Sequence, residues 1–464
     1  MKNFLGKFSL AAFALAVGFD LQLQTARAGL AVTSLAAGGE HSLFTKSDGS
    51  LWVMGENNYG QLGIGFTPAK TNVPVQVLSG GVQKVAAGEN HSLYLSGGSL
   101  WVMGYNAYGG LGDGTTNNYF FPEKIFSAGF NVSVSIMAGG SFHSLFATYS
   151  GLVVGNRDLY AMGANGAGEL GDGTFFEHDS PEEIRFSTTI SAVTAGHGHS
   201  LYIKSDGSLW GMGDNTFGQL GLGSVPGTNI QVLIASGVTA VAAGAYHSLF
   251  IKSDGSLWGM GENFNGQLGD NTTSDRHTPK QVAFIGVTAI AAGAYHSLFT
   301  KSDGSLWVMG HNADGQLGTG DLVDRLVPTL IESNGVIAVA AGLLHSLFVK
   351  SDGSLWGMGF NLYGQLGTGD YTEQHVPVLI VAGLPPPPII TAVSVAGANL
   401  NLNGANGVTG EILVTLMSTN LMKPLSQWQS VATNVLGADG NFSITAANAV
   451  IPNVAQQFYV LQAQ

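Results

Sequence analysis

Cysteine is absent from the 464 residues. That excludes disulfides, thiolate metal sites and cysteine nucleophiles, and leaves the packed core as the source of stability. Charge is scarce as well: Asp, Glu, Lys and Arg make up 10% of the chain, against 45% hydrophobic residues. The basic side is the poorer one, with 17 Lys and Arg against 30 Asp and Glu, for a net charge of −13. No basic stripe is available to neutralise phosphates, so no nucleic-acid partner is expected. The net field favours cationic partners and also helps to keep the chain soluble.

Long apolar runs are missing too. The run from Phe8 to Phe19 is about a dozen residues, whereas a membrane span needs ~20. It follows Lys2 and Lys7 and precedes Ala26-Arg27-Ala28, which is the basic, apolar, small order of an export signal. Residues 1–28 are therefore expected to be a signal peptide. Cleavage after Ala28 would remove a net +2 and leave −15 on a chain starting at Gly29. The expected location is outside the cytoplasm, in the periplasm, at the cell surface or in the medium, with no transmembrane segment in the mature chain.

Glycine is abundant: 68 residues, about twice the usual share. The chain is too apolar for disorder and has no collagen triplet. Many short strands joined by Gly-rich turns account for both features. The repetition is direct. His-Ser-Leu recurs at His41, His91, His143, His199, His247, His296 and His345, at intervals of 50, 52, 56, 48, 49 and 49 residues. Each is followed by an apolar stretch ending in Met-Gly, at Met54, Met103, Met162, Met212, Met260, Met309 and Met358. Then comes Asn-x-x-Gly-[Gln/Gly/Glu]-Leu-Gly, as in Asn57 to Gly63 and Asn361 to Gly367.

Each unit reads as four strands. In the sixth, Val287 to Ala292 and His296 to Lys301 are the first two, and Leu306 to Gly310 is the third. Asp303-Gly304 between them suits a type I′ hairpin. A fourth strand is expected to begin near Pro328, since Pro recurs there at Pro74, Pro122, Pro181, Pro279 and Pro377, with Asn229 as the exception. Seven four-stranded units of about 50 residues predict an all-β, seven-bladed β-propeller over residues 29–384. The small-residue strand Val-x-x-Val-Ala-Ala-Gly suits the crowded axis. Trp and Met, two apart in Leu-Trp-x-Met-Gly, share a strand face and are expected to be buried between blades.

Gly-x-x-His-Ser-Leu, Asp-Gly and Gly-x-Asn-x-x-Gly-Gln-Leu-Gly together resemble the regulator of chromosome condensation repeat, over roughly Leu30 to Gly383. One departure is systematic: the family has Trp just before Gly-x-Asn, where this chain has Met. The resemblance implies the seven-bladed fold. The family includes a nuclear exchange factor for a small GTPase, a plant ultraviolet-B photoreceptor and secreted inhibitors of β-lactamases, and fold alone does not choose among them.

The seven histidines are read as scaffold, hydrogen-bonding backbone within or between blades, because an active site is a single asymmetric constellation. His197-Gly198-His199 could hold a metal, two ligands facing one way on a strand, but no third ligand is identifiable. No P-loop or Gly-x-Ser-x-Gly elbow is present. No catalytic residue, metal or cofactor is assigned.

Function is instead expected where the frame varies. Two residues between each Gly and its repeated His change from blade to blade: Gly39-Glu40, Glu89-Asn90, Ser141-Phe142, His197-Gly198, Ala245-Tyr246, Ala294-Tyr295 and Leu343-Leu344. In the resembling photoreceptor this slot holds Trp-Arg. No slot here contains either, which sets that function aside. The partner-binding rim is expected to comprise Phe142, His197, Tyr246, Tyr295, Leu343 and Leu344, with Tyr246, Tyr295 and the two leucines forming an arc over three blades. A second candidate is the extended third-blade loop, with Tyr149, Asn156, Arg157 and Asp158.

Pro385 to Pro388 forms a stiff linker. Residues 389–464 read as a small β-sandwich-like module with strands at Glu411 to Leu416, Asn441 to Thr445 and Phe458 to Leu461. The expectation is an exported, non-enzymatic and monomeric propeller that presents a rim to a protein partner, with inhibition of a secreted or envelope enzyme as the sharper version. Glycan or cell-wall binding through exposed tyrosines is an alternative. Guanine-nucleotide exchange is another, disfavoured by the export signal.

Overall fold

The computed structural model describes residues 31–129, 132–150, 158–184, 189–282, 285–383, 389–396, 398–405, 412–418, 427–435, 441–449 and 458–463. Residues 1–28, expected to be a signal peptide, the linker Pro385 to Pro388, Asn156 and Arg157 lie outside the described residues.

Seven antiparallel sheets, each of four strands consecutive in sequence, occupy Val32–Gly383. Blade one comprises Val32–Ala37, His41–Lys46, Leu51–Glu56 and Lys70–Leu78. Blade six comprises Val287–Ala292, His296–Lys301, Leu306–Gly310 and Arg325–Glu332. The first strands of neighbouring blades contact one another, and their Ala-Gly ends line a central shaft of about 370 Å³. Small side chains at this end of the strand let seven backbones converge there.

Strand alternation builds the core. In blade one, Leu43, Leu51, Val53 and Leu62 pack toward Val82, Tyr94 and Met103 of blade two. Phe44, Met54 and Val32 face the other way, onto Leu347, Leu355 and Leu366 of blade seven. That second cluster closes the ring without strand exchange. The first strand belongs wholly to blade one, and Gln374–Val381 is the outer strand of blade seven.

Trp and Met share a face as expected, but Trp52 is only half-buried. It stacks on Phe44 with ring centroids 6.2 Å apart, its Nε1–H donates to Ser50 Oγ at 2.8 Å, and Lys46 Nζ lies 4.2 Å from its centroid. The indole is a lid over the blade edge rather than a core plug. In blade three, Tyr160 stacks in the same way on Phe146, at 4.9 Å.

Two local expectations are corrected. In the Asp-Gly hairpin, Gly304 has φ 76° but Asp303 does not have positive φ, so the turn is not type I′. Gly304 N–H donates to Lys301 O at 2.9 Å and Lys301 N–H to Ser305 O at 3.1 Å, giving a three-residue loop with glycine third. Asp303 Oδ1 accepts from Ser305 N at 2.9 Å, which holds aspartate out of the left-handed region. Among the described hairpins of this kind, only Gly97-Gly98 has positive φ at both central positions.

The recurrent prolines do not start the fourth strand but sit inside it. Val308 pairs with Thr329 and Gly310 with Arg325, so Pro328 falls in a bulge of the edge strand, where no ladder N–H is required. By the same register (Gly211 with Val232, Gly213 with Thr228) the residue replacing proline in blade four is Gln231, not Asn229. Its side-chain amide donates to the Gly171 carbonyl.

The C-terminal unit has two three-stranded sheets. One holds Ile389–Ala396, Asn399–Ala405 and Phe442–Ala446; the other holds Gln429–Val435, Ile412–Ser418 and Phe458–Ala463. Leu400, Leu402, Ile444 and Phe442 from the first meet Leu413 from the second in one core, a small sandwich.

Candidate functional site

The spacing Gly-x-x-His is imposed by a ring of side chains at the blade seams. Each repeated histidine is fully buried, and its Nε2 meets the motif serine of the next blade. The pairs are His41–Ser92 at 2.8 Å, His91–Ser144 at 2.8 Å, His143–Ser200 at 2.8 Å and His199–Ser248 at 3.0 Å. His247–Ser297, His296–Ser346 and His345–Ser42, all at 2.9 Å, complete the circle. Each serine hydroxyl donates onward to a carbonyl, as Ser248 Oγ does to Gln219 O at 2.7 Å. Its oxygen must then accept, so the imidazole carries a proton on Nε2, and burial, which lowers its pKa, keeps the ring neutral. The expected backbone partner is thus a serine side chain of the neighbouring blade. A Cβ at Gly244 would collide with the His247 ring and the Gly293 carbonyl, so the motif position must be glycine.

The two variable slot residues follow that glycine. The first residue of each slot surrounds one mouth of the shaft. Its backbone is zipped from blade to blade: Gly39 N–H to Glu89 O at 2.9 Å, Glu89 N–H to Gly140 O at 3.1 Å, Ser141 N–H to Gly196 O at 3.1 Å and His197 N–H to Ala245 O at 3.2 Å. The rim is therefore a fixed frame in which side chains alone vary. The residue after each Met-Gly joins it, because its N–H donates to the second slot carbonyl, as in Glu56 to Glu40 O at 2.8 Å and Glu262 to Tyr246 O at 2.9 Å.

The aromatic arc exists but runs differently from the expected one. Phe142, His197 and Tyr246 are joined, with centroids 6.0 Å and 5.3 Å apart, and Phe217 meets Tyr246 at 5.3 Å. The chain continues back through Tyr108 and Tyr105 to Tyr59, at 5.1 Å, 6.3 Å and 4.9 Å. It spans blades one to five, and Tyr246, Tyr295, Leu343 and Leu344 of blades five to seven line the same mouth. Tyr295 stands beside His311 at 6.4 Å, and Leu343 and Leu344 complete the mouth half-buried. Tyr59, Tyr105, Tyr108 and Phe217 were not anticipated as site residues. Their signal was variation in Gly-x-Asn-x-x-Gly, at positions that hydrogen-bond to the slot or stand beside it.

The same face is acidic. Burial, then Glu56 and Glu89, pushes Glu40 up to about 7. Burial, then Tyr295 and Glu262, raises Tyr246, and burial followed by Glu262 and Glu89 raises Tyr295. No slot residue and no residue after Met-Gly is Lys or Arg.

Ser141 Oγ lies 2.8 Å from His197 Nδ1, and Glu89 Oε2 lies 4.0 Å from the same nitrogen. Serine and acid thus address one ring nitrogen instead of opposite ones, and the adjacent amides are spent in the rim ladder, so this is not a nucleophilic triad. His197 and His199 also part company: His197 turns to blade three and His199 to Ser248 of blade five. Among the described residues no three His, Asp or Glu side chains gather closely enough to hold a metal. Tyr149 and Asp158 belong to the opposite end of blade three. The second strand starts at His143 beside the slot and ends at Ser150, and Thr148 N–H donates to Asp158 O at 3.0 Å. The structure does not bring them to the rim.

A closed seven-bladed propeller with invariant seams and a variable mouth defines a repeat-propeller scaffold. Residues 155–401, more than half of the chain, match the RCC1-like domain, and residues 48–95 and 97–147 match the regulator of chromosome condensation (RCC1) repeat. The chain belongs to the RCC1 repeat family. It is similar to the ultraviolet-B receptor UVR8 of Arabidopsis thaliana, 32% identical over 207 residues that cover 42% of this chain and 44% of the receptor. It is 30% identical to the X-linked retinitis pigmentosa GTPase regulator of Mus musculus over 191 residues, 40% of this chain and 14% of that one. The chain thus spans less than half the length of either relative. Among solved structures, human WBSCR16 superposes with TM-score 0.64 at 24% identity, covering 73% of this chain and 95% of that one. Prp20p of Saccharomyces cerevisiae gives 0.63 at 21%, covering 78% and 90%. These two likenesses establish the fold alone.

Proposed function

We propose that this chain is an exported, non-enzymatic binding scaffold that presents the mouth of its propeller to a protein partner. The observation that carries this reading is the rigid rim bearing an aromatic chain from Tyr59 to Tyr246 over five blades, since rigid aromatic clusters supply interface anchors. Tyr59 and Tyr108 are 37% and 39% exposed, so part of the chain is available for contact. The relatives point the same way. Two are named as a receptor and a GTPase regulator, and Prp20p is described with binding properties to Gsp1p and histones.

Export rests on the basic, apolar and small-residue order of residues 1–28. An exported scaffold meets secreted or envelope proteins, which favours inhibition of such an enzyme over exchange on a cytosolic GTPase. Neighbouring Tyr59, Tyr105 and Tyr108 support a second reading, stacking on sugar rings of a glycan.

The test is a cross-linking pull-down from envelope and culture-medium fractions. The bait is the chain from Gly29, run beside a Tyr246→Ala/Tyr295→Ala/Leu344→Ser variant. A protein captured by the first bait, lost with the second and shown to bind directly when purified supports the reading. Identical capture by both baits refutes it.

A further inference from the structure

Deepening the reading of the mouth as a protein-binding face, on which it rests, we propose that the mouth receives a Lys- or Arg-bearing polypeptide segment. The cationic side chains would lie against Glu40 and Glu89, with backbone carbonyls toward blades six and seven.

The carboxylates come first. Glu40 is half-buried, and no described side chain donates a hydrogen bond to it; Glu89 has only the His197 nitrogen at 4.0 Å. A half-buried carboxylate left without a donor favours a cation that enters with the partner. Tyr246 and Tyr295 line the same mouth as Glu89 and offer rings to a cationic partner. Uncharged sugars satisfy neither requirement, and an anionic chain is repelled.

The second observation is independent of charge. In blades one, four and five the motif glutamine donates its amide to the acid after Met-Gly: Gln61 to Glu56 at 3.0 Å, Gln219 to Asp214 at 2.8 Å and Gln267 to Glu262 at 3.2 Å. In blades six and seven that acid is replaced by His311 and Phe360. Gln316 and Gln365 keep the same anchor, Oε1 accepting from Asp314 N at 3.0 Å and Tyr363 N at 3.2 Å. Their Nε2 groups are therefore aimed at the same place on the face, yet both are fully buried and have no partner. An unmatched buried donor is costly, and an acceptor arriving with a ligand relieves it. A peptide supplies carbonyl acceptors and cations together, whereas a free amine or metal ion supplies only the charge.

The experiment is selection of displayed random dodecapeptides on the immobilised full chain, followed by fluorescence anisotropy with the selected peptides. Glu40→Gln/Glu89→Gln and Tyr246→Ala/Tyr295→Ala serve as variants, each first shown to melt like the parent. The expected result is enrichment of Lys and Arg, with binding weakened about tenfold or more by the glutamine pair and by replacing Arg with citrulline. Binders that are neutral or acidic, are lost with the alanine pair and are indifferent to the glutamine pair overturn the cationic inference and leave the protein-binding reading intact. No enrichment, or binders indifferent to both pairs, overturns both.

Discussion

Lowering the pH from 7 toward 5 is expected to unfold the propeller through its seven seam histidines. Burial holds His41, His143, His247, His296 and His345 at about 3 and His91 and His199 at about 4, from an ordinary 6.5. Geometry gives the reason: Nε2–H is committed to a serine oxygen, and the proton would have to enter at a buried Nδ1. Between pH 6.5 and 4 the unfolded chain binds protons that the folded one does not, so stability falls as pH falls across that window. Each histidine costs about 1.36 kcal/mol per pH unit well below 6.5, hence about 2 kcal/mol by pH 5 and about 14 for the seven. A folded domain holds only ~5–15 kcal/mol in total. Glu40, raised to about 7, works in the opposite direction, as do Glu56, Glu169, Glu262 and Asp314, which burial also raises, so these carboxyls offset part of the loss from the seven histidines. Urea denaturation followed by tryptophan fluorescence from pH 7.5 to 4.5 measures the slope. His247→Gln, whose amide can still donate to Ser297, should remove one proton from it. A loss below about 2 kcal/mol between pH 7 and 5, the share of a single histidine, would refute the argument. So would folded-state resonances of the seven seam imidazoles, assigned one by one, that titrate near 6.5.

Other outcomes follow from single contacts. Gly244→Ala places a Cβ against the His247 ring and Gly293 carbonyl and should cost about 1–3 kcal/mol or more, whereas Gly198→Ala, whose Cβ meets only Ala167 at 3.6 Å and Asp214 at 3.7 Å, should be near neutral by thermal melting. Ser248→Ala leaves the His199 Nε2–H without an acceptor and should lower urea-derived stability by ~1–3 kcal/mol. Lys252→Ala removes a cation 4.0 Å from the exposed side of Trp258 and should cost no more than about 1 kcal/mol by the same assay. Edman sequencing of protein recovered outside the cytoplasm should begin at Gly29; recovery only as uncleaved intracellular chain would remove the basis for export.

The blade count, the strand order and the family were legible in the sequence because each depends on local pattern. His-Ser-Leu, Met-Gly and Asn-x-x-Gly recur at near-constant spacing, and period-two alternation assigns Leu43 and Phe44 to opposite faces without knowledge of the neighbours. The variable slot was legible for the same reason, as change inside a repeat. Tertiary structure decided what those residues do to one another. That the histidine meets a serine some 50 residues away, and that the first and last blades close with intact strands, depends on ring closure, which no local signal carries. Tyr246 packs on Phe217 and His197, a contact between blades that arises because the residues flanking Asn-x-x-Gly fold onto the same face as the slot. Tyr149 and Asp158, close to the slot in sequence, lie at the far end of their blade because a single eight-residue strand, His143–Ser150, runs away from the slot. Sequence thus dictated the units and their exposed variation. The sharing of one mouth by side chains from several blades arises only when seven units converge on an axis.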